Sequence, residues 1–364
     1  MEPGSQPADA PALEAERLKD FAKRVFGALQ GAVTAGMIHL GDRLGLYRAL
    51  AEGPATSAEL AARTGLHERW LREWLRQQGA AGLLVWDAGE RFALTPEGRA
   101  VLADESHPAF GGGAFHSLPQ TMAVLERLPE AFATGLGLPY DAFGPEGAHG
   151  VERGFAPWYR TFLIPVGIAR LDGVRERLAR GAQVADVGCG TGAALLQLAR
   201  AFPRSSFHGF EVSKHALARA EARRAEEGLE NVRFHDVRGE TLPEDGRFDL
   251  VLSFDCLHDM TRPDAVAAAI RRALKPDGVW FVVDVKARGS FAGDVERNPM
   301  AALMYGMSVL TCMSSALSEP GGAGLGTLGL SPERLRALGE AAGFTRFRVL
   351  DVDHPINAFY ELRP

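Results

Sequence analysis

Residues 184–192 read VADVGCGTG. A short apolar run that enters three glycines and then opens a helix brings backbone amides close to a ligand at the helix's positive end. Gly188, Gly190 and Ala193 also fit G-x-G-x-x-G/A, so the turn alone leaves a dinucleotide, a phosphate and other ligands open.

From about residue 182 onward the chain alternates strand and helix. AQVADVG, SSFHGFEV, NVRFHDV, FDLVLSFDCLHD and GVWFVVDV read as strands, and GTGAALLQLARAF, SKHALARAEARRAEEG and PDAVAAAIRRAL as helices between them. This order predicts a parallel sheet covered by helices on both faces, with ligands outside the carboxyl ends of its strands. The candidate cofactor-binding residues there are Asp186, Gly188, Cys189, Gly190 and Gly192, then Glu211 with Val212, Asp236 with Val237, and Asp255 with Cys256. His258 and Asp284 also follow strand ends.

The glycines, and Glu211 as an acceptor for two ribose hydroxyls, suit NAD and S-adenosylmethionine alike. Three features separate the two. Asp186 puts negative charge where a pyrophosphate is disfavoured and an ammonium or sulfonium is welcome. Asp236 can accept from an adenine amino group. Finally, after the helix SPERLRALGEAAGF, TRFRVLDVD and NAFYELRP flank His354-Pro355-Ile356 as a terminal antiparallel hairpin, which makes a seven-stranded sheet rather than six parallel strands.

VADVGCGTG, FEVS, FHDV, FDLVLSFDCLHDM and LKPDGVWFVVDV, in that order, resemble the successive motifs of class I S-adenosylmethionine-dependent methyltransferases. With the N-terminal region described next, the chain resembles small-molecule O-methyltransferases of the natural-product type from about Phe21 onward. The resemblance implies a Rossmann-like α/β methyltransferase domain at 176–364, S-adenosylmethionine as cofactor, a small-molecule acceptor and a homodimer formed through the N-terminal domain. It also implies that Tyr159 touches the methionine moiety and that His258, followed by Asp259, is the general base.

The N-terminal region, 16–105, reads as a winged helix-turn-helix. Phe21, Val25, Phe26, Leu29, Val33, Met37 and Ile38 recur at helical spacing, so the first helices are expected to be largely buried. Thr56-Ser-Ala-Glu59 is a capping box, a helix from His67 to about Gln78 follows, and LLVWDAGERFAL turns as a hairpin. Arg69, Arg72 and Arg76 would be the DNA-reading set of the second helix. Glu68 and Glu73 interrupt that face, and the net charge is −6, so DNA binding is not expected and the domain reads as a dimerisation unit.

Between these domains, 106–175 reads as a helical linker that helps form an acceptor pocket. A second contribution comes from the Met300–Met313 stretch and EPGGAGLGTLGL, read as a flexible lid. An imidazole with a pKa near roughly 6.5 accepts protons from phenols or enols better than from aliphatic alcohols, so a phenolic or enolic acceptor is expected. Asp284 or Glu319 would orient the ring. The alternatives are transfer to carbon or nitrogen, a regulator that senses S-adenosylmethionine, and a dinucleotide oxidoreductase.

No short-spaced ligand pattern marks a metal site: His235 and His258 form neither an H-x-x-x-H nor a 2-His-1-carboxylate set. The cysteines Cys189, Cys256 and Cys312 form no C-x-x-C, which fits a reducing cytoplasm, and no stretch approaches a membrane span. Residues 1–15 are expected to be a disordered lead-in.

Overall fold

The computed structural model describes residues 13–364, so most of the expected N-terminal lead-in lies outside the described residues. The chain divides after Ala103 into two compact units. No helix among the described residues is long and apolar enough to cross a membrane.

The first unit holds helices α1 (Ala15–Arg43), α2 (Leu46–Ala51), α3 (Ser57–Thr64), α4 (Glu68–Ala80) and α5 (Pro96–Leu102), with strands β1 (Val85–Trp86) and β2 (Phe92–Ala93) paired antiparallel between α4 and α5. The capping box forms as its sequence requires: Thr56 Oγ1 accepts from the Glu59 amide, and Glu59 Oε2 accepts from the Thr56 amide at 2.8 Å. Gly65 ends that helix in the left-handed conformation. Trp74 Nε1 donates to the Met37 carbonyl, fixing α4 on the end of α1.

The expectation that the first helix is buried fails over most of its length. Only Ile38, His39, Gly41 and Asp42 of α1 are buried, while Phe21 is 62% and Phe26 69% exposed. Within this unit α4 is anchored near the C-terminal end of the helix, where Trp74 meets the Met37 carbonyl, and the N-terminal turns are left exposed.

The second unit is built on a seven-stranded sheet. Its strands are β3 (Gln183–Val187), β4 (Ser206–Glu211), β5 (Val232–Asp236), β6 (Phe248–Phe254), β7 (Leu274–Val285), β8 (Arg346–Leu350) and β9 (Asn357–Arg363), in the spatial order β5-β4-β3-β6-β7-β9-β8. β3 to β7 run parallel, and β9 lies antiparallel between β7 and β8. The order reverses between β4 and β6 around β3, so the crevice opens at the glycine turn.

Apolar side chains cover both faces. One cluster joins Leu195, Phe207, Phe281 and Phe359; the other joins Phe210, Val251, Ile270, Trp280 and Tyr360. β6 is buried at every position, as expected of a central parallel strand. Residues 144–158 form a helix that continues as a wide, π-type turn over Tyr159–Gly167, with Pro157 and Pro165 inside it. A proline removes an amide donor and clashes with the preceding turn, which accounts for the widened coil.

Candidate active site

At the end of β3 the three glycines do different work. A Cβ on Gly192 would meet Phe234 Cζ at 2.3 Å, so this glycine is required by packing. Gly190 has a φ of +54° and open space where a Cβ would lie, which leaves the backbone free for close approach by a ligand. Cys189 and Cys256 are buried on either side, and burial raises both thiols well above their ordinary pKa. A raised thiol pKa is the opposite of what a nucleophilic thiolate needs.

Glu211 ends β4 beside this turn. Its Oε2 accepts from the Gly190 amide and its Oε1 from the Val212 and Ser213 amides, all at 2.8 Å. Burial raises its pKa, and the three amides oppose the shift. A carboxylate offers about four acceptor directions, so a ligand hydroxyl meets an acid already fixed in position.

Asp236 lies directly across from Glu211 at the end of β5, with Val237 beside it. Its carboxylate is forked by Arg238, with Nη2 to Oδ2 at 2.7 Å, and this hydrogen bonding holds its pKa below the usual range.

Asp186 differs from both. It is 2% exposed, its Oδ1 has no hydrogen-bond partner, and burial with the nearby Glu211 charge pushes its pKa up to about 8. An isolated buried carboxyl is costly and calls for a cationic partner. Tyr159 is close enough for the Asp186 charge to add to the burial that raises its phenol.

Across β3, β6 delivers the other half of the site. Asp255 leaves the strand at a φ of +46°, a conformation a side chain rarely adopts, and both its carboxylate oxygens accept from Asn357 Nδ2, at 2.7 and 2.8 Å. The strained residue turns the chain into the short 3₁₀ segment Leu257–Asp259. There His258 is 3% exposed, and its Nδ1 is 2.6 Å from Oδ1 of Asp284 on β7.

Asp284, not Glu319, is thus the carboxylate on the imidazole's Nδ1. Burial alone would depress His258, but the charge and hydrogen bond of Asp284, with a contribution from the Cys312 side chain, raise it well above its ordinary value. Asp255 and Asp259 are pushed up to about 8 and about 7, by burial first, with the Asp284 charge also raising both.

A cavity of about 680 Å³ opens onto His258, Asp255 and Asp259. Its wall includes Phe110, Tyr140, Phe143, Phe155, Trp158 and Phe162, all from the segment before β3. Of the Met300–Met313 stretch Met307 is the one methionine in the lining, beside Thr311 and Cys312; Met304 and Tyr305 pack against Val285, Ala287 and Leu328. The glycine-rich segment expected to be a flexible lid is instead tied to the site loop, with the Gly326 amide on the His258 carbonyl and the Ala323 amide on the Thr261 carbonyl.

His235 lies apart from His258, joined to His208 at 3.1 Å and to Glu240 at 2.9 Å. Sequence reasoning missed Asn357, whose only signal was its place at the start of the strand beside β7. It also missed a group formed by His116, Glu146 and His149, whose ligating atoms lie within 4.8 Å of one another. There His116 is already engaged on both ring nitrogens, by Glu146 at 2.9 Å and Arg153 at 3.1 Å.

On α4, Arg69 bonds Glu73 at 2.6 Å, Arg72 bonds Glu68 at 2.8 Å and Arg76 bonds Glu90 at 2.9 Å.

Residues 178–319 match the family described as Methyltransferase domain, and residues 32–103 the Rv2258c-like winged HTH domain. A mitomycin biosynthesis 6-O-methyltransferase of Streptomyces lavendulae is 29% identical over 279 residues, covering 70% of this chain and 75% of the relative. Human N-acetylserotonin methyltransferase, solved with S-adenosylmethionine, superposes with a TM-score of 0.67 at 18% identity, over 98% of this chain and 99% of its own. The mitomycin 7-O-methyltransferase MmcR gives 0.66 at 22% identity, over 96% and 100%. These two structural likenesses establish the fold.

Proposed function

We propose that the chain is an S-adenosylmethionine-dependent O-methyltransferase of the kind that carries an N-terminal winged helix-turn-helix domain, and that it methylates a phenolic or enolic hydroxyl with His258 as general base. The observation that carries this reading is the buried His258–Asp284 pair at 2.6 Å facing the cavity next to the glycine turn. The orphaned Asp186 oxygen and the open space at Gly190 fit the cofactor's ammonium and its close approach to backbone.

When bound, S-adenosylmethionine supplies a methyl carbon already activated by a sulfonium. The protein's own residues position the acceptor and move one proton. Asp284 accepts from Nδ1–H, which leaves Nε2 to take the acceptor's hydroxyl proton, and the same carboxylate then stabilises the imidazolium that forms. Glu211 would hold the ribose hydroxyls, with Tyr159, Cys189, Gly188, Gly192, Val212, Asp236, Val237, Asp255 and Cys256 completing the cofactor's surroundings.

The exposed apolar stripe of α1, with Phe26 and Leu29 69% and 60% exposed, supports a homodimer through the first unit. The glutamate-paired arginines of α4 support dimerisation over DNA reading.

The test is calorimetric titration with S-adenosylhomocysteine and, in parallel, NAD, followed by methyl transfer from S-adenosylmethionine to a panel of phenols. Micromolar binding of the homocysteine compound alone, and transfer that His258→Ala removes, is the expected result. Transfer at an undiminished rate by His258→Ala overturns the base assignment.

A further inference from the structure

The cavity carries information about the acceptor's charge. Its lining includes Asp255, Asp259 and His258, with Asp284 directly behind the imidazole, but neither lysine nor arginine. Cations next to lining residues are engaged elsewhere, Arg160 with the Glu105 carbonyl among them. Arg153 stacks on the Phe110 ring, 5.8 Å from its centroid, and bonds Glu105 at 2.7 Å and His116 at 3.1 Å. Lys286, next to the lining residue Val285, donates to the His354 carbonyl.

A carboxylate ligand is normally met by a guanidinium fork or an ammonium. This cavity offers neither, and its acids already resist ionising: burial first, with the Asp284 charge adding to it, makes Asp255 and Asp259 hold their protons to higher pH than usual. An added anion would place a further negative charge near Asp284 and against acids that already resist ionising. An uncharged or cationic molecule would not.

Size and surface narrow the class further. A volume of about 680 Å³ lies in the range of roughly 300–1,000 Å³ in which drug-sized ligands bury most of their surface, more than one small ring requires. Six aromatic side chains on one segment offer faces and edges for stacking.

We infer that the acceptor is an uncharged or amine-bearing fused-ring hydroxyaromatic, and that the cavity excludes aromatic carboxylic acids by charge. This rests on the methyltransferase reading above and specifies its substrate. The discrimination is built from what is absent from the wall as much as from the acids present.

The test compares two probes that differ in one charge, methyl 6-hydroxy-2-naphthoate and 6-hydroxy-2-naphthoate, by calorimetry at pH 7.5 on the full chain with saturating S-adenosylhomocysteine. The ester is expected to bind at least about tenfold more tightly than the acid. Val151 is 41% exposed on the cavity's edge, so Val151→Lys adds a cation without burying it. That variant is expected to recover most of the acid's affinity and leave the ester's unchanged.

Equal or tighter binding of the acid by the wild type overturns the inference. So does an acid-to-ester ratio that Val151→Lys does not move, or failure of both probes to bind. Binding of S-adenosylhomocysteine itself, read in the same titrations, reports separately on the methyltransferase reading: its loss would sink that reading, whereas its presence with failed discrimination sinks only the charge rule.

Discussion

The two sides of the crevice hold their acids in opposite ways. On the β4 and β5 side Glu211 is held by three backbone amides and Asp236 by a guanidinium fork, so each is fixed before any ligand arrives. On the β6 and β7 side Asp255, Asp259 and Asp284 lie near one imidazole, where burial first and the Asp284 charge second keep Asp255 and Asp259 from ionising readily. The first arrangement is a rigid socket for a ligand that does not change. The second holds a proton whose position is sensitive to small changes, which is what acid–base chemistry needs.

The sharpest way to break this division is His258→Ala. Loss of a general base lowers kcat by about 10²–10⁴-fold, and the affinity for S-adenosylhomocysteine should stay within about twofold of the wild type if the socket is independent. A calorimetric titration beside the rate measurement decides it. A parallel fall in cofactor affinity would mean the two sides act as one unit.

The socket was readable from sequence because its parts are local. The glycine turn, Asp186 and Glu211 belong to one strand-turn-helix-strand stretch, and the alternation of strand and helix placed the remaining acids at strand ends. The acceptor side was readable only in part. His258 and Asp284 come from adjacent strands, and their pairing depends on the β6–β7 register, in which Phe254 sits opposite Val283.

Asn357 reaches Asp255 across 102 residues, which no motif reports. The wide turn at Tyr159–Gly167 arises where two prolines interrupt a helix, a pattern that marks a disturbance without giving its shape. The exposure of α1 was hidden for another reason: periodicity shows that a face is apolar but not whether this chain supplies the cover.

Asp186→Asn tests the socket's one unsatisfied member and has two effects of opposite sign. Losing a charge-assisted bond worth about 1.5–3 kcal/mol weakens S-adenosylmethionine binding by about ten- to a hundredfold. Without ligand, the folded state holds the Asp186 proton up to about pH 8, whereas the unfolded chain releases it near its ordinary value of 3.8. Folding therefore loses stability as pH rises between those values. The asparagine variant lacks this loss, so its Tm without ligand should exceed that of the wild type at pH 8, and the gap should close toward pH 4. A variant less stable at pH 8 would show that the carboxylate has a partner in the folded chain.

Asp284→Asn should have the smallest effect on rate, about tenfold at high pH, as Brønsted behaviour gives for a base made weaker. The sign of its pH effect is the informative part. In the wild type burial depresses His258, and Asp284 with Cys312 overcomes that, so the neutral imidazole forms only above its ordinary range. Asparagine keeps the size but removes the charge. Asp255 and Asp259 still face the ring, yet both resist ionisation, so burial gains the upper hand and the pKa falls.

The acid limb of the kcat/KM profile should then move to lower pH, while the high-pH plateau drops. The raised His258 value also contributes stability that is fully present below about pH 6.5 and is lost as pH rises through the folded value. The variant should accordingly lose more Tm at pH 6 than at pH 9. An acid limb that stays in place with a uniform loss of Tm would make Asp284 a packing residue, and the contrast between a fixed socket and a proton-handling side would lose its basis.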